Sequence, residues 1–253
     1  MIALKSDREI GIMREAGEII KEVLAEMEKS LRSGMTTDDL DRMSEEMILK
    51  AGGEPAFKGY HGFPKTACIS LNEEVVHGIP GEREIKDQDI VSFDVGVRLQ
   101  GYHADAARTW VVGNADQKIK SFVDSARGAL AKALKNYQPG WRIGDLSAAI
   151  QSYVEAQGYQ VVRNYVGHGI GREMHEDPQV PNFGKPGQGP KIEPGLVVAI
   201  EPMVTEGHYD VEVLENGWTV VTKDKKYATH YEDTIAFLEN GFMNLTGDLG
   251  KEF

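Results

Sequence analysis

"DIVSFDVGVRLQGYHADAART", residues 89–109, sets two carboxylates into a stretch that otherwise reads as β-strand. Asp94 lies inside a β-branched, apolar run, and Asp105 follows eleven positions later, past a turn around Leu99, Gln100 and Gly101. A hairpin with a two- or four-residue loop centred there places the two acids directly opposite each other, on one face and about 5 Å apart. Like charges in that position are destabilising unless a cation sits between them. The theme recurs downstream, where Glu201 closes the apolar run of "LVVAIEPMV" (196–204) and Glu232 interrupts "YATHYEDTIAF" (227–237). One acid at a strand end is ordinarily a solvated charge or half of an ion pair. Four in such apolar settings point to a shared cation.

"GHGIGREMHEDP", residues 167–178, adds nitrogen to this set. Glycines at 167, 169 and 171 make a regular helix unfavourable and predict a tight loop carrying His168 and His175. An imidazole among carboxylates suits a transition metal better than calcium. Cys68 is the only cysteine, which excludes a thiolate cluster and any disulfide within the chain. The set Asp94, Asp105, His168, Glu201 and Glu232 has the composition of a dinuclear site, in which bridging carboxylates hold divalent ions about 3.5–4 Å apart.

Around these residues the chain alternates between two periods. Ser6 and Glu9 form a capping-box pattern, after which Ile10, Met13, Ile20, Leu24, Met27 and Leu31 recur at helical spacing. A second helix starts near Thr37, with Leu40, Met43 and Met47 on one face, and stops at Gly52-Gly53. Short β-branched runs occupy Thr66 to Gly113. Helical pattern returns in "DQKIKSFVDSARGALAKALKNY" and "GDLSAAIQSYVEAQG", and strands follow again. Gly34, Asp39, Leu40 and Gly52 meet Gly140, Asp145, Leu146 and Gly158 at a constant offset of 106, and Asp94 meets Glu201 at 107, as His61-Gly62 meets His168-Gly169. The reading is one domain over 1–253, of α+β class, with two related halves at about 1–113 and 114–247 that bring equivalent acidic strands to a common centre.

A formal charge of -12, from 28 basic and 40 acidic residues, disfavours nucleic acid as a partner. The N-terminal "MIALKSDREIGIMREAGEII" breaks its apolar residues with charges, so neither a signal peptide nor a membrane span is readable, and a cytoplasmic location is expected.

The motifs "NEEVVHGIP", "FDVGV", "GYHADAARTW", "GHGIGREMHEDP", "IEPMV" and "HYEDT" together resemble those of the type I methionine aminopeptidases, from about Met1 to Gly247. The resemblance implies the pita-bread (creatinase/aminopeptidase) fold, with pseudo-twofold lobes, an antiparallel sheet and flanking helices. It implies two divalent ions of Co, Mn, Fe or Zn: Asp94 on one, Asp105 and Glu232 on both, His168 and Glu201 on the other, with a hydroxide between them as nucleophile. His77 and His175 would stabilise the oxyanion, and Glu201 would shuttle the proton. Tyr60, Phe63, Cys68, Met174 and Trp218 would hold the methionine side chain; Phe57 and Phe63 replace a frequent cysteine and tyrosine, and Met174 a frequent phenylalanine. The implied reaction is removal of the N-terminal methionine from nascent chains at the ribosome when the second residue is small, by a monomer. Two alternatives are a proline-specific aminopeptidase or dipeptidase of the same fold, which usually carries a further N-terminal domain, and a non-catalytic peptide-binding relative, which would lack the metal ligands.

Overall fold

A computed structural model of the chain describes residues 2–249. The first half contains α1 (Asp7–Ser30), α2 (Thr37–Lys50), β1 (Glu54–Pro55), a 3-10 turn at Tyr60–Gly62, β2 (Ala67–Leu71), β3 (Glu74–Val76), β4 (Ile90–Leu99) and β5 (Tyr102–Val111). The second contains α3 (Gln117–Asn136), α4 (Ile143–Glu155), β6 (Gln160–Val161), β7 (Gly167–Gly169), β8 (Glu176–Val180), β9 (Val197–Ile200) and β10 (Met203–Thr205). It closes through β11 (Val211–Val213), β12 (Val220–Thr222), β13 (Ala228–His230), β14 (Asp233–Leu238) and β15 (Gly241–Asn244).

The helices form where the spacing places them. In α1 the Glu9 carboxylate accepts from the Ser6 backbone N–H at 2.9 Å, and Ile10, Met13, Ile20, Val23, Leu24 and Met27 are buried on one stripe. Thr36 and Asp39 exchange the same pair of bonds at the start of α2, and Asp145 accepts from Arg142 N–H at the start of α4. Gly34 and Gly140 before these helices, and Gly52 and Gly158 after them, all take positive φ (88°, 96°, 82° and 83°).

Two sheets carry the site. One runs β1-β4-β2 with β5 also paired to β4; the other runs β15-β14-β9-β7-β8. Helices α1 and α2 cover the first through a core containing Ile20, Leu24, Leu40, Ile69, Phe93 and Val95, and α3 and α4 cover the second through Leu130, Leu134, Leu146, Ile150, Val198 and Phe237. The sheets are sewn together where Ala107 and Glu232 exchange backbone bonds of 3.3 and 3.0 Å. Thr234 Oγ1 accepts from Asp105 N–H and donates to Asp105 O across the same seam.

Three details differ from expectation. The β4–β5 loop is Gln100-Gly101, and the register pairs Asp94 with Ala107 and Asp105 with Gly96, so the acids are diagonal neighbours on one face, not direct opposites. His168 lies in strand β7, hydrogen-bonded to β8 and β9, and not in a loop. Its flanking glycines admit close backbones: a Cβ on Gly167 would stand 2.4 Å from Ala199 O, and one on Gly169 2.2 Å from Asp177 O. His61-Gly62 falls in the 3-10 turn, so the match of that pair to His168-Gly169 has no counterpart in local structure.

Candidate metal centre

The acids converge because each strand delivers one to the inner face. Asp94 on β4 stands across from Cys68 on β2 and Ala107 on β5, and Asp105 stands across from Gly96. These small partners leave room beside the carboxylates. Glu201 follows β9, and Glu232 occupies the link between β13 and β14. His168 donates from Nδ1 to Gly169 O (2.9 Å), since a carbonyl can only accept; Nε2 therefore keeps its lone pair and faces Glu201 Oε1 at 3.6 Å.

Ligand-capable atoms of Asp105, His168 and Glu232 lie within 4.8 Å of one another, as do those of Asp94, His230 and Glu232. Among the described residues, the buried side-chain atoms with no hydrogen-bond partner include Asp94 Oδ1, Asp105 Oδ1, Glu232 Oε1 and His230 Nε2. Orphans are costly in an interior, and four in one cluster are the signature of a group that takes a cation.

The electrostatics agree. Burial, then Asp105 and Glu201, push the Asp94 carboxyl well above its usual range. Burial also lifts Asp105 to about 7 and raises Glu201 and Glu232, each with a contribution from Asp105. Burial holds His168 down at about 3, so its imidazole is neutral and able to ligate. The donor set of carboxylate oxygens and imidazole nitrogen fits a divalent transition metal.

A cavity of about 330 Å³ opens over the centre, lined by Phe57, Tyr60, His61, Phe63, Cys68, His77, Asp94, Asp105, His168, His175, Glu201, Trp218 and Glu232. Phe63 and Trp218 meet edge to face at 5.1 Å. His175 stands at the mouth with its outer edge exposed, its Nδ1 2.9 Å from the Tyr60 hydroxyl and its ring 4.2 Å from that of His168. Burial and His175 bring His77 down to about 4, while burial, His61 and His103 lower His175. His77 is also held at φ 60°, a conformation that costs energy outside glycine. Met174 is buried beside Phe57 over Gly96 and stays behind the cavity wall, because the missing Gly96 side chain leaves space that both residues fill.

Phe57, noted for its departure from the family pattern, lines the wall, His61 joins it beyond the expected residues, and two residues behind it were missed altogether. His230 precedes Glu232 by two positions, and strand alternation, the available signal, places both on one face. Arg108 spans the seam, donating to Ala107 O (2.8 Å), Glu232 O (2.6 Å), Asp233 Oδ1 (2.7 Å) and Thr246 O (3.1 Å). The Asp233 side chain is wholly buried, so Arg108→Ala leaves a buried charge without its guanidinium. The expected loss is about 3–5 kcal/mol, read by urea unfolding; an unchanged midpoint would refute this role.

The sequence profile of metallopeptidase family M24 matches residues 11–239. A methionine aminopeptidase of Clostridium perfringens is 52% identical over 97% of this chain and 99% of its own length. Methionine aminopeptidase 1 of Bacillus subtilis is 49% identical, with the same shares covered. The crystal structure of methionine aminopeptidase from Thermotoga maritima superposes with a TM-score of 0.96 at 46% identity, over 98% of this chain and 100% of that one. Prolidase from Pyrococcus furiosus superposes at 0.79 and 24% identity, over 97% of this chain and 65% of that one, a likeness of fold alone.

Proposed function

The chain belongs to metallopeptidase family M24, with its pita-bread fold, and from that premise we propose that it is a type I methionine aminopeptidase. It hydrolyses the bond after the N-terminal methionine of new polypeptides, with preference for a small second residue. The observation that carries this reading is the cluster of buried, unpartnered carboxylate oxygens beneath an aromatic cavity walled by neutral imidazoles.

Asp94, Asp105, His168, Glu201 and Glu232 would hold two divalent cations of Co, Mn, Fe or Zn, with Asp105 and Glu232 shared. The two donor trios that meet at Glu232 support a pair of positions. Lewis-acid activation of water and of the scissile carbonyl is the chemistry such ions supply. The remaining work falls to the protein. Phe57, Tyr60, Phe63, Cys68 and Trp218 offer aromatic and sulfur contacts that suit a flexible thioether and exclude water, with Met174 backing the wall. His77 and His175, neutral at physiological pH, donate to the carbonyl oxygen as charge develops on it. The Tyr60 hydroxyl fixes the His175 ring. Glu201 holds the proton that passes to the departing amine.

Removal of one oxyanion donor typically costs about 10²–10³ in kcat. His175→Ala is expected to lose on that order in kcat with KM little changed, measured on Met-Gly-Met; a rise in KM alone would assign His175 to binding only. The same peptide tests the reading as a whole, since faster cleavage of an Ala-Pro substrate would move the protein to the proline-specific enzymes.

The recurrence of helix pairs and capping glycines, and the topological likeness of β2-β4-β5 to β7-β9-β14, support a single domain of two related halves. No described helix is long and apolar enough to cross a membrane. The working form we propose is a cytoplasmic monomer acting on nascent chains at the ribosome.

A further inference from the structure

We infer that His230, through Nε2, is a sixth protein ligand of the metal centre, completing with Asp94 and Glu232 one of its two ion positions. The inference rests on the dinuclear reading above and adds a residue to it. His230 ends β13, held there by Thr109, whose Oγ1 accepts from His230 N–H (3.0 Å) and donates to His230 O (2.7 Å). Its side chain is 2% exposed, and Nε2 is one of the buried atoms with no hydrogen-bond partner.

The distances distinguish a ligand from a hydrogen-bond donor. Nε2 stands 3.7 Å from Glu232 Oε2 and 3.8 Å from Glu201 Oε2, too far for N–H···O bonds, which run about 2.7–3.2 Å. Two ligand atoms each about 2.1 Å from one ion are about 3.0 Å apart at right angles and about 4.2 Å apart on opposite sides. The 3.7 Å from His230 to Glu232, the acid of the same trio, falls in that interval, and so does the 3.6 Å between His168 Nε2 and Glu201 Oε1 at the other position. Atoms of Asp94, His230 and Glu232 lie within 4.8 Å of one another, a trio that mirrors Asp105, His168 and Glu232 around the shared Glu232. Each position then holds one imidazole. That balance shifts the Asp94 position away from magnesium and calcium toward metals that accept nitrogen.

Cobalt(II) loading at two equivalents tests this without reference to turnover. In proton NMR of the loaded protein, each ligating imidazole contributes one solvent-exchangeable ring N–H shifted by the unpaired electrons. Two such signals are expected in the wild type and one in His230→Gln. Calorimetry should show one of the two cobalt sites weakened by at least about tenfold in the variant, since even outer-shell changes cost 10- to 100-fold. Circular dichroism of His230→Gln checks its fold, and the wild-type signal count stands without the variant. Cobalt uptake with a single signal in the wild type, or with both signals kept in His230→Gln, would overturn the inference while leaving the metal centre intact. A wild type that takes up no cobalt would overturn the metal centre itself, and this ligand with it.

Discussion

Asp105→Asn is expected to lower methionine release by at least about 10³-fold while making the metal-free protein more heat-stable at pH 8. The two effects have one origin. Asp105 is 4% exposed, its Oδ1 has no protein partner, burial disfavours its ionised form, and its charge in turn raises Asp94, Glu201 and Glu232. Its backbone is secured independently by Thr234, so an amide of the same shape keeps the strand in place. Without ions, losing one negative charge relieves the cluster. With ions, the same substitution removes a ligand shared by both, and several kcal/mol of transition-state stabilisation go with it, each 1.4 kcal/mol being tenfold in rate. Peptide release followed by chromatography and thermal melts of chelated protein give the two readouts. Near-normal activity with two metal equivalents retained would refute the shared-ligand role, and a lower metal-free melting point would refute the charge argument.

Much of this was legible because it is local. The apolar stripe of α1 and the capping pair of Ser6 with Glu9 depend on neighbours within a turn or two. The family resemblance likewise reached the inner-face acids and His168. What escaped depended on geometry that no short window holds. The hairpin register was displaced by two because the turn uses Gln100 (φ 49°) and Gly101 (φ 82°), and glutamine gives little sign that it will adopt a left-handed conformation. Diagonal acids still share a face, so the two carboxylates still converge. The glycines around His168 looked like loop punctuation, yet they serve backbone crowding between β8 and β9, against Asp177 eight residues beyond Gly169 and Ala199 32 beyond Gly167. Met174 fell behind the wall because Gly96 vacates space that only the packed structure defines. Arg108 resembles any exposed strand cation until Glu232 and Asp233 arrive from the other half.

Chelation is expected to abolish activity, reversibly on return of a divalent ion, and to expose a pH dependence that the loaded protein lacks. Burial raises Asp105 from 3.8 to about 7 and drives Asp94, Glu201 and Glu232 well above their usual values. A carboxyl whose folded value is raised lends full stability below its unfolded value, near 4, and loses it as pH climbs through the folded one. The buried imidazoles act in the opposite sense: His77 sits at about 4 and His168 and His230 at about 3, so between those values and 6.5 rising pH favours the fold. Above about 6.5 these histidines are neutral in both states and the carboxylates act alone. Metal-free protein should therefore melt several degrees lower at pH 8 than at pH 6.5, at about 2–4 °C per kcal/mol for a chain of this size. Bound cations favour the ionised carboxylates, so the loaded protein should hold its melting point across that window, and the gap between the two forms should widen with pH. Asp105→Asn should flatten the metal-free slope. A chelated wild type whose melting point rises from pH 6.5 to 8 would mean that these acids are not forced together, and the physical case for the metal centre would fail with them.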